Sequence, residues 1–236
     1  MLRVEIGGAP LHLLPERAAY LPEQRTLLVA DLHAGKAASF RGLGVPVPRG
    51  STTRTLERLS LALEATAAQR LVFLGDFLHS SRSQGPATLG ALVRWRTRHA
   101  GVAMLLLRGN HDQRAGDPPA ALDIEVVDGP LACGAYMLTH EPAPHARAYV
   151  LAGHVHPCVV VSGRGFDRLR LPCFHFGTRV GVLPAFGDFT GAHAVRRTQG
   201  DRVFAVAGGG VHEIRIATDP KLGGDERNGR TPDRPG

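Results

Sequence analysis

Cysteine is scarce in this chain. Its 236 residues hold three, Cys133, Cys158 and Cys173. None belongs to a CxxC pair, and the odd count leaves one thiol over. A disulfide scaffold is excluded, and a reducing, cytoplasmic setting is expected. Long apolar runs are also missing. The longest compact one, Val102–Leu107, falls far short of the roughly 18 residues of a membrane span. Met1–Gln24 alternates polar and apolar residues around Pro10, Pro15 and Pro22 and lacks the apolar stretch of a secretory signal. No membrane partner is expected. Lysine is nearly absent: Lys36 and Lys221 stand alone among 28 basic residues. With 21 acidic residues the formal charge is +7, carried by arginine. Guanidinium forks suit paired phosphate oxygens better than point ammonium charges do. A polyanionic partner is one reading of this balance; a GC-rich coding bias, which also favours Ala, Gly and Pro, is the other. What remains is ordinary globular composition, 43% hydrophobic and 21% charged.

Residues 217–236 carry seven Gly or Pro and almost no apolar side chains, so a disordered tail is expected there. Residues 1–216 form the expected single domain. Its strand candidates are short β-branched or Leu-rich runs: Arg3–Ile6, Thr26–Leu32, Leu71–Leu74, Val102–Leu107, Ile124–Val127, Tyr136–Thr139, Tyr149–Ala152, Cys158–Val161, Arg168–Phe174, Val203–Val206 and Val211–Ile216. Two helices are expected. Thr52–Ala68 lines up Leu56, Leu59 and Leu63, and Pro86–Ala100 lines up Leu89, Leu92 and Val93 with Trp95 near the edge. The first half reads strand–helix–strand–helix–strand, which predicts parallel crossovers. From about Leu122 the chain is nearly all strand, which predicts antiparallel pairing. The fold class is α+β, with two packed sheets.

Five polar clusters directly follow expected strands: Asp31-Leu32-His33, Gly75-Asp76, Gly109-Asn110-His111-Asp112, His140-Glu141 and Gly153-His154-Val155-His156. Ligands gather beyond the carboxyl ends of strands in open sheets. Neighbouring strands would bring all five clusters to one edge. Crowded aspartates and imidazoles are costly without a partner, and a divalent cation removes that cost. Asp31, His33, Asp76, Asn110, His140, His154 and His156 supply seven N and O donors suited to Mn, with Zn or Fe as alternatives. Seven exceed one tetrahedral site; two ions sharing Asp76 would use them all. The glycines before Asp76, Asn110 and His154 are expected to permit sharp turns. Singly, DxH, GD and GN are common turn sequences. The ordered set after five strands is specific.

The order DxH, GD, GNHD, His, GHxH resembles the calcineurin-like metallophosphoesterase superfamily. The resemblance implies a four-layer α/β/β/α sandwich with two mixed sheets flanked by helices. It implies Asp31, His33 and His156 on one metal, Asn110, His140 and His154 on a second, and Asp76 bridging. The flanking strings "VADLHAGKAASFRGLGVPVP", "GDFLHS", "RGNHD", "VLAGHVHP", "LRLPCF" and "VLPAFGDFTG" resemble the ligase-associated DNA damage response endonucleases. That resemblance implies a bacterial DNA repair enzyme, a DNA substrate, and association with a DNA ligase and other repair enzymes. Many superfamily members read GDxxD, whereas His79 stands at the second carboxylate's place here. His79 is expected to hydrogen-bond His111 or to line the substrate cleft.

The expected reaction is phosphodiester hydrolysis by two divalent cations, with Asp76 and His111 as the catalytic pair. His111 would contact the phosphate or protonate the leaving oxygen. Lys36 and Arg41 follow the first metal motif and are expected near substrate phosphate. Arg94 and Arg98, one helical turn apart, are candidate backbone contacts for nucleic acid. The competing readings are the same chemistry on a small nucleotide or other soluble phosphate ester, and a largely non-catalytic binding role in a repair complex.

Overall fold

The computed structural model describes residues 1–48, 50–162 and 168–215. The tail expected over 217–236 lies outside the described residues. Within them, two mixed sheets pack face to face, with helices on the outer side of the first.

The first sheet runs β1 (Leu2–Ile6), β2 (Ala9–Leu13), β3 (Ala19–Leu21), β4 (Thr26–Val29), β5 (Arg70–Leu74), β6 (Ala103–Leu107) and β7 (Glu125–Val127), in that order across the sheet. β1 to β4 pair antiparallel and β4 to β7 parallel. Side chains alternate across its two faces, as the pleat requires. Leu27, Val29, Leu71, Phe73 and Leu106 face the helices. Leu28, Val72, Leu74, Leu105 and Leu107 face the second sheet. Both faces are covered, so these strands read as continuous apolar runs.

Four helices accompany this sheet: α1 (Lys36–Gly42), α2 (Ser51–Thr66), α3 (Pro86–Arg98) and α4 (Asn110–Ala115). α2 buries the expected Leu56, Leu59 and Leu63. α3 starts with Pro86 in its first turn and buries Thr88, Leu92, Trp95 and Arg96. Trp95 is therefore central to the stripe, while Val93 is exposed. The indole Nε1–H of Trp95 donates to Ser60 Oγ at 3.1 Å, which gives its polar atom a partner across the α2–α3 seam.

The second sheet is built from β8 (Leu131–Cys133), β9 (Tyr136–Leu138), β10 (Tyr149–Ala152), β11 (Pro157–Ser162), β12 (Arg168–Phe176), β13 (Val180–Val182), β14 (His193–Ala194), β15 (Arg202–Ala207) and β16 (Gly210–Glu213). Expected antiparallel pairing holds for β8–β9, β11–β12, β12–β13, β12–β15 and β15–β16. It fails for β10, which runs parallel to both β9 and β13, and for β11 with β14. The connection from Thr139 to Ala148 is long enough to return the chain to the same end, so β10 is released from hairpin geometry. That parallel pair positions the site, because it brings the carboxyl ends of β9 and β10 to one edge.

Candidate metal centre

The carboxyl ends of β4, β5, β6, β9 and β10 converge. They carry Asp31 and His33, Asp76, Asn110 and His111, His140, and His154 and His156 respectively. Asp31, His33, Asp76 and His140 are buried; Asn110 and His156 are half-buried and His154 is exposed. Asp31, His33, Asp76, His154 and His156 all have left-handed backbones, with φ between 46° and 71°. Such conformations are uncommon for non-glycine residues and store strain that the surroundings must hold. Here the holding bonds are visible. His33 N–H donates to Asp76 O at 2.8 Å. His154 N–H donates to Asp31 Oδ2 at 2.9 Å.

Two sets of donor atoms emerge. In the first, His33 Nε2 lies 3.4 Å from His156 Nε2 and 3.7 Å from Asp76 Oδ2, and His156 Nε2 lies 3.7 Å from Asp31 Oδ2. In the second, His140 Nε2 lies 3.0 Å from Asn110 Oδ1, 3.1 Å from His154 Nδ1 and 3.5 Å from Asp76 Oδ1. The two oxygens of Asp76 thus face different sets.

Tautomers decide what these sets can hold. His140 Nδ1–H donates to the Leu74 carbonyl at 2.9 Å, so its neutral ring turns a lone pair at Nε2 inward. His156 does the same through its Nδ1–H to the Gly191 carbonyl at 3.0 Å. In each set that Nε2 faces a second ring nitrogen and oxygens, and one ring proton, from His33 or His154, can satisfy only one of those contacts. Protonation is a poor remedy at His33, where burial, aided by the Lys36 charge, drives the imidazole far below its ordinary pKa. Burial also raises the Asp76 carboxyl above its ordinary range, against the nearby imidazoles. A divalent cation in each set would relieve the crowding, and their N and O chemistry fits one.

The glycines act in two ways. Gly75 has φ +81°, the sharp turn expected of it, and its missing Cβ would lie 2.0 Å from His140 Nδ1. Gly109 and Gly153 do not have positive φ. Their role is space: a Cβ on Gly109 would lie 2.4 Å from Asp76 Oδ1, and one on Gly153 2.9 Å from Asp31 Oδ2.

The remaining candidates separate. His111 stands at the start of α4, its Nε2 3.9 Å from Asp76 Oδ2 and its N–H donating to Asp76 Oδ1 at 3.0 Å. Its Nδ1–H donates to the backbone carbonyl of His79 at 2.9 Å, while the two rings stack at 5.2 Å. The expected bond between the two side chains is replaced by this carbonyl contact, because the rings lie nearly parallel instead of edge on. Asp112 is buried and accepts from Gly109 N–H and Leu78 N–H, binding α4 to the β5 loop. Lys36 opens α1, with an ammonium whose pKa is lowered by burial and partly restored by the Asp76 and Asp31 charges. Arg41 turns aside: its Nη1 donates to the carbonyls of Val47 and Pro48. Arg94 and Arg98 line a groove between α2 and α3 that contains none of the seven donors.

Residues 24–215 match the family model for calcineurin-like phosphoesterases. The chain belongs to that family. It is similar to the crystal structure of Pseudomonas putida nuclease MPE at 44% identity and TM-score 0.80, over 90% of this chain and 99% of that one. The phosphoesterase Yfce from E. coli is 15% identical at TM-score 0.39, over 80% of this chain and 97% of that one. A search of curated proteins finds no match. Family membership makes the chain a metal-dependent hydrolase of phosphoesters, and the two expected mixed sheets with helices are those of the family. Among the described residues no helix is long and apolar enough to cross a membrane.

Sequence reasoning did not single out the backbone acceptors, Leu74 and Gly191, because a carbonyl carries no residue signature. It did not single out Arg17, Asp188 or Phe189 beside His156 either, although the string "FGDFTG" contains two of them.

Proposed function

We propose that this protein is a dinuclear, manganese-dependent phosphodiesterase that cleaves DNA internally, in bacterial DNA repair and in the cytoplasm. The observation that carries the reading is the division of Asp76: one carboxylate oxygen faces His33 Nε2 and the other faces His140 Nε2. Asp31, His33 and His156 would hold one cation and Asn110, His140 and His154 the other, with Asp76 shared between them. Bound cations supply Lewis-acid chemistry, offsetting charge on the phosphate and lowering the pKa of water. DNA as substrate is supported by the 44% identical nuclease and by the arginine-borne charge. Association with a DNA ligase rests on the resemblance of the flanking strings.

The chain's own groups complete the mechanism. Leu74 O and Gly191 O fix the imidazoles of His140 and His156 so that Nε2 stays free of a proton. His79 O holds the His111 ring through Nδ1–H, so Nε2 can pass a proton to the leaving oxygen only when both ring nitrogens are protonated. Lys36 adds a positive charge beside the carboxylates and draws phosphate in. Metal analysis of the purified protein, then turnover on bis(p-nitrophenyl) phosphate and on DNA, tests the reading. Two bound ions and internal cleavage of a circular DNA are expected. One ion, or turnover of the small diester alone, overturns it. Salt dependence separates the substrates further, because many phosphate contacts give a steep slope and a small ester a shallow one.

A further inference from the structure

Phe189 is the only exposed aromatic residue among those described, 42% accessible, and its backbone is left-handed at φ 61°. An apolar ring held in solvent by a strained backbone needs a cause. The ring belongs to neither hydrophobic core cluster.

The loop beneath it is pinned to the metal motifs. Phe186 N–H donates to Ala30 O at 2.8 Å and Gly187 N–H to Asp31 O at 3.0 Å. A Cβ on Gly187 would stand 2.3 Å from Leu32 O, so the loop lies flush against the DxH turn. At its far end Gly191 O receives His156 Nδ1–H. Asp188 pairs with Arg58 at 3.2 Å and Arg17 at 3.7 Å, one carboxylate between two guanidinium groups. Phe189 is therefore fixed relative to the donor atoms on both sides.

Its surroundings are those of a nucleotide. On one side Phe189 borders a narrow pocket between α1 and α2, shared with His33, Lys36, Ala37 and Leu56. On the other it lines a cavity of about 280 Å³ with His156, Arg17, Arg170, Asp188 and Thr190. Arg17 and Arg170 outnumber Asp188, so the cavity is positive. A second cavity, of about 270 Å³, adjoins Asn110 and His140 on the opposite side. Its arginine, Arg108, is neutralised by Asp117 and Asp128, and Glu141 lines it. Of these two cavities, the one beside His156 favours phosphate.

We infer that Phe189 is a specificity-determining stacking platform: the base adjoining the scissile phosphate on the His156 side lies on its ring, while Arg170 and Arg17 hold that nucleotide's phosphate. Every base has a π-face, so such a platform tolerates sequence and demands an unpaired base. This inference rests on the DNA reading above.

The test uses the full-length, manganese-loaded protein on a single-stranded oligonucleotide cut at one dominant position, and on a series with one abasic residue stepped along the strand. Stacking of one base sets the scale. Phe189→Ala should raise KM about tenfold with kcat nearly kept, and Phe189→Trp should behave as wild type. Wild type should lose about tenfold when the abasic residue sits at one position beside the cut, and Phe189→Ala should lose nothing further there. A merely structural Phe189 would give a defect of equal size on every substrate, and that result overturns the inference. So does a wild-type KM in Phe189→Ala. If wild type hydrolyses bis(p-nitrophenyl) phosphate and no oligonucleotide, the DNA reading fails and stacking falls with it. If wild type and Phe189→Ala cut oligonucleotides equally, stacking alone falls.

Discussion

His111 donates its Nδ1–H to the backbone carbonyl of His79, at 2.9 Å. The carbonyl fixes the ring without a carboxylate at position 79. It adds no full negative charge, and it does not depend on the side chain at position 79. His79→Ala should therefore keep His111 oriented and cost less than tenfold in turnover, the loss of a stacked neighbour. His111→Ala should cost roughly 10²–10⁴-fold, the range for a positioned acid. Turnover of both variants at saturating metal checks this. A His79→Ala defect as large as that of His111→Ala would show that the imidazole of His79 acts in the reaction.

Asp76→Asn tests the bridge. Asn keeps an acceptor for His111 N–H, so the local fold should survive, but the carboxylate charge between the two donor sets is gone. Both metals should weaken together, and hydrolysis should fall by several orders of magnitude. Metal content after dialysis and turnover are the readouts. Loss of one ion with the other retained at normal affinity would mean Asp76 serves one set only.

Gly109→Ala separates space from flexibility. Its φ is not positive, so alanine is conformationally acceptable there. The added methyl would meet Asp76 Oδ1 at 2.4 Å and the Asp76 backbone N at 2.6 Å. Metal affinity should drop at least tenfold and the unfolding midpoint should fall with it, since the carboxylate can yield but the backbone beneath it cannot. A large stability loss with metal binding intact would place the constraint in the backbone.

Much of the site was legible because each donor follows a strand whose apolar run is itself legible. β4, β5 and β6 lie at the expected places because burial on both faces makes them continuous runs. Their parallel order followed from the helices between them. The missed elements have weak local signals: β2 carries Pro10 and His12, β3, β8 and β13 have three residues each and β14 two, α1 has seven residues, and α4 is a short turn hidden inside GNHD. Arg41 and Lys36 looked alike in sequence. Only the turn at 43–48 draws the Arg41 guanidinium back onto its own loop.

Stability of the metal-free protein should depend on pH at both ends, with signs set by burial. Burial, helped by the Lys36 charge, lowers His79 to about 4 and His33 further still. Unfolded imidazoles bind protons near their ordinary 6.5, which the folded protein refuses. Their contribution is thus full above about pH 6.5 and is lost as pH falls towards 4. At the other end, burial pushes the Cys173 thiol, ordinarily 9.0, up to about 12, and the Tyr136 phenol, ordinarily 10.0, up to about 12. The unfolded chain ionises them first, so their contribution is full below about pH 9 and is lost as pH rises towards 12. Urea unfolding of chelator-treated protein should show a plateau between about pH 6.5 and 9 with a decline on either side. His79→Asn should flatten the acid limb, and Cys173→Ala the alkaline one. An apo-protein most stable below pH 6 would show that the buried carboxyls of Asp76 and Asp112, whose pKa burial raises, outweigh these imidazoles.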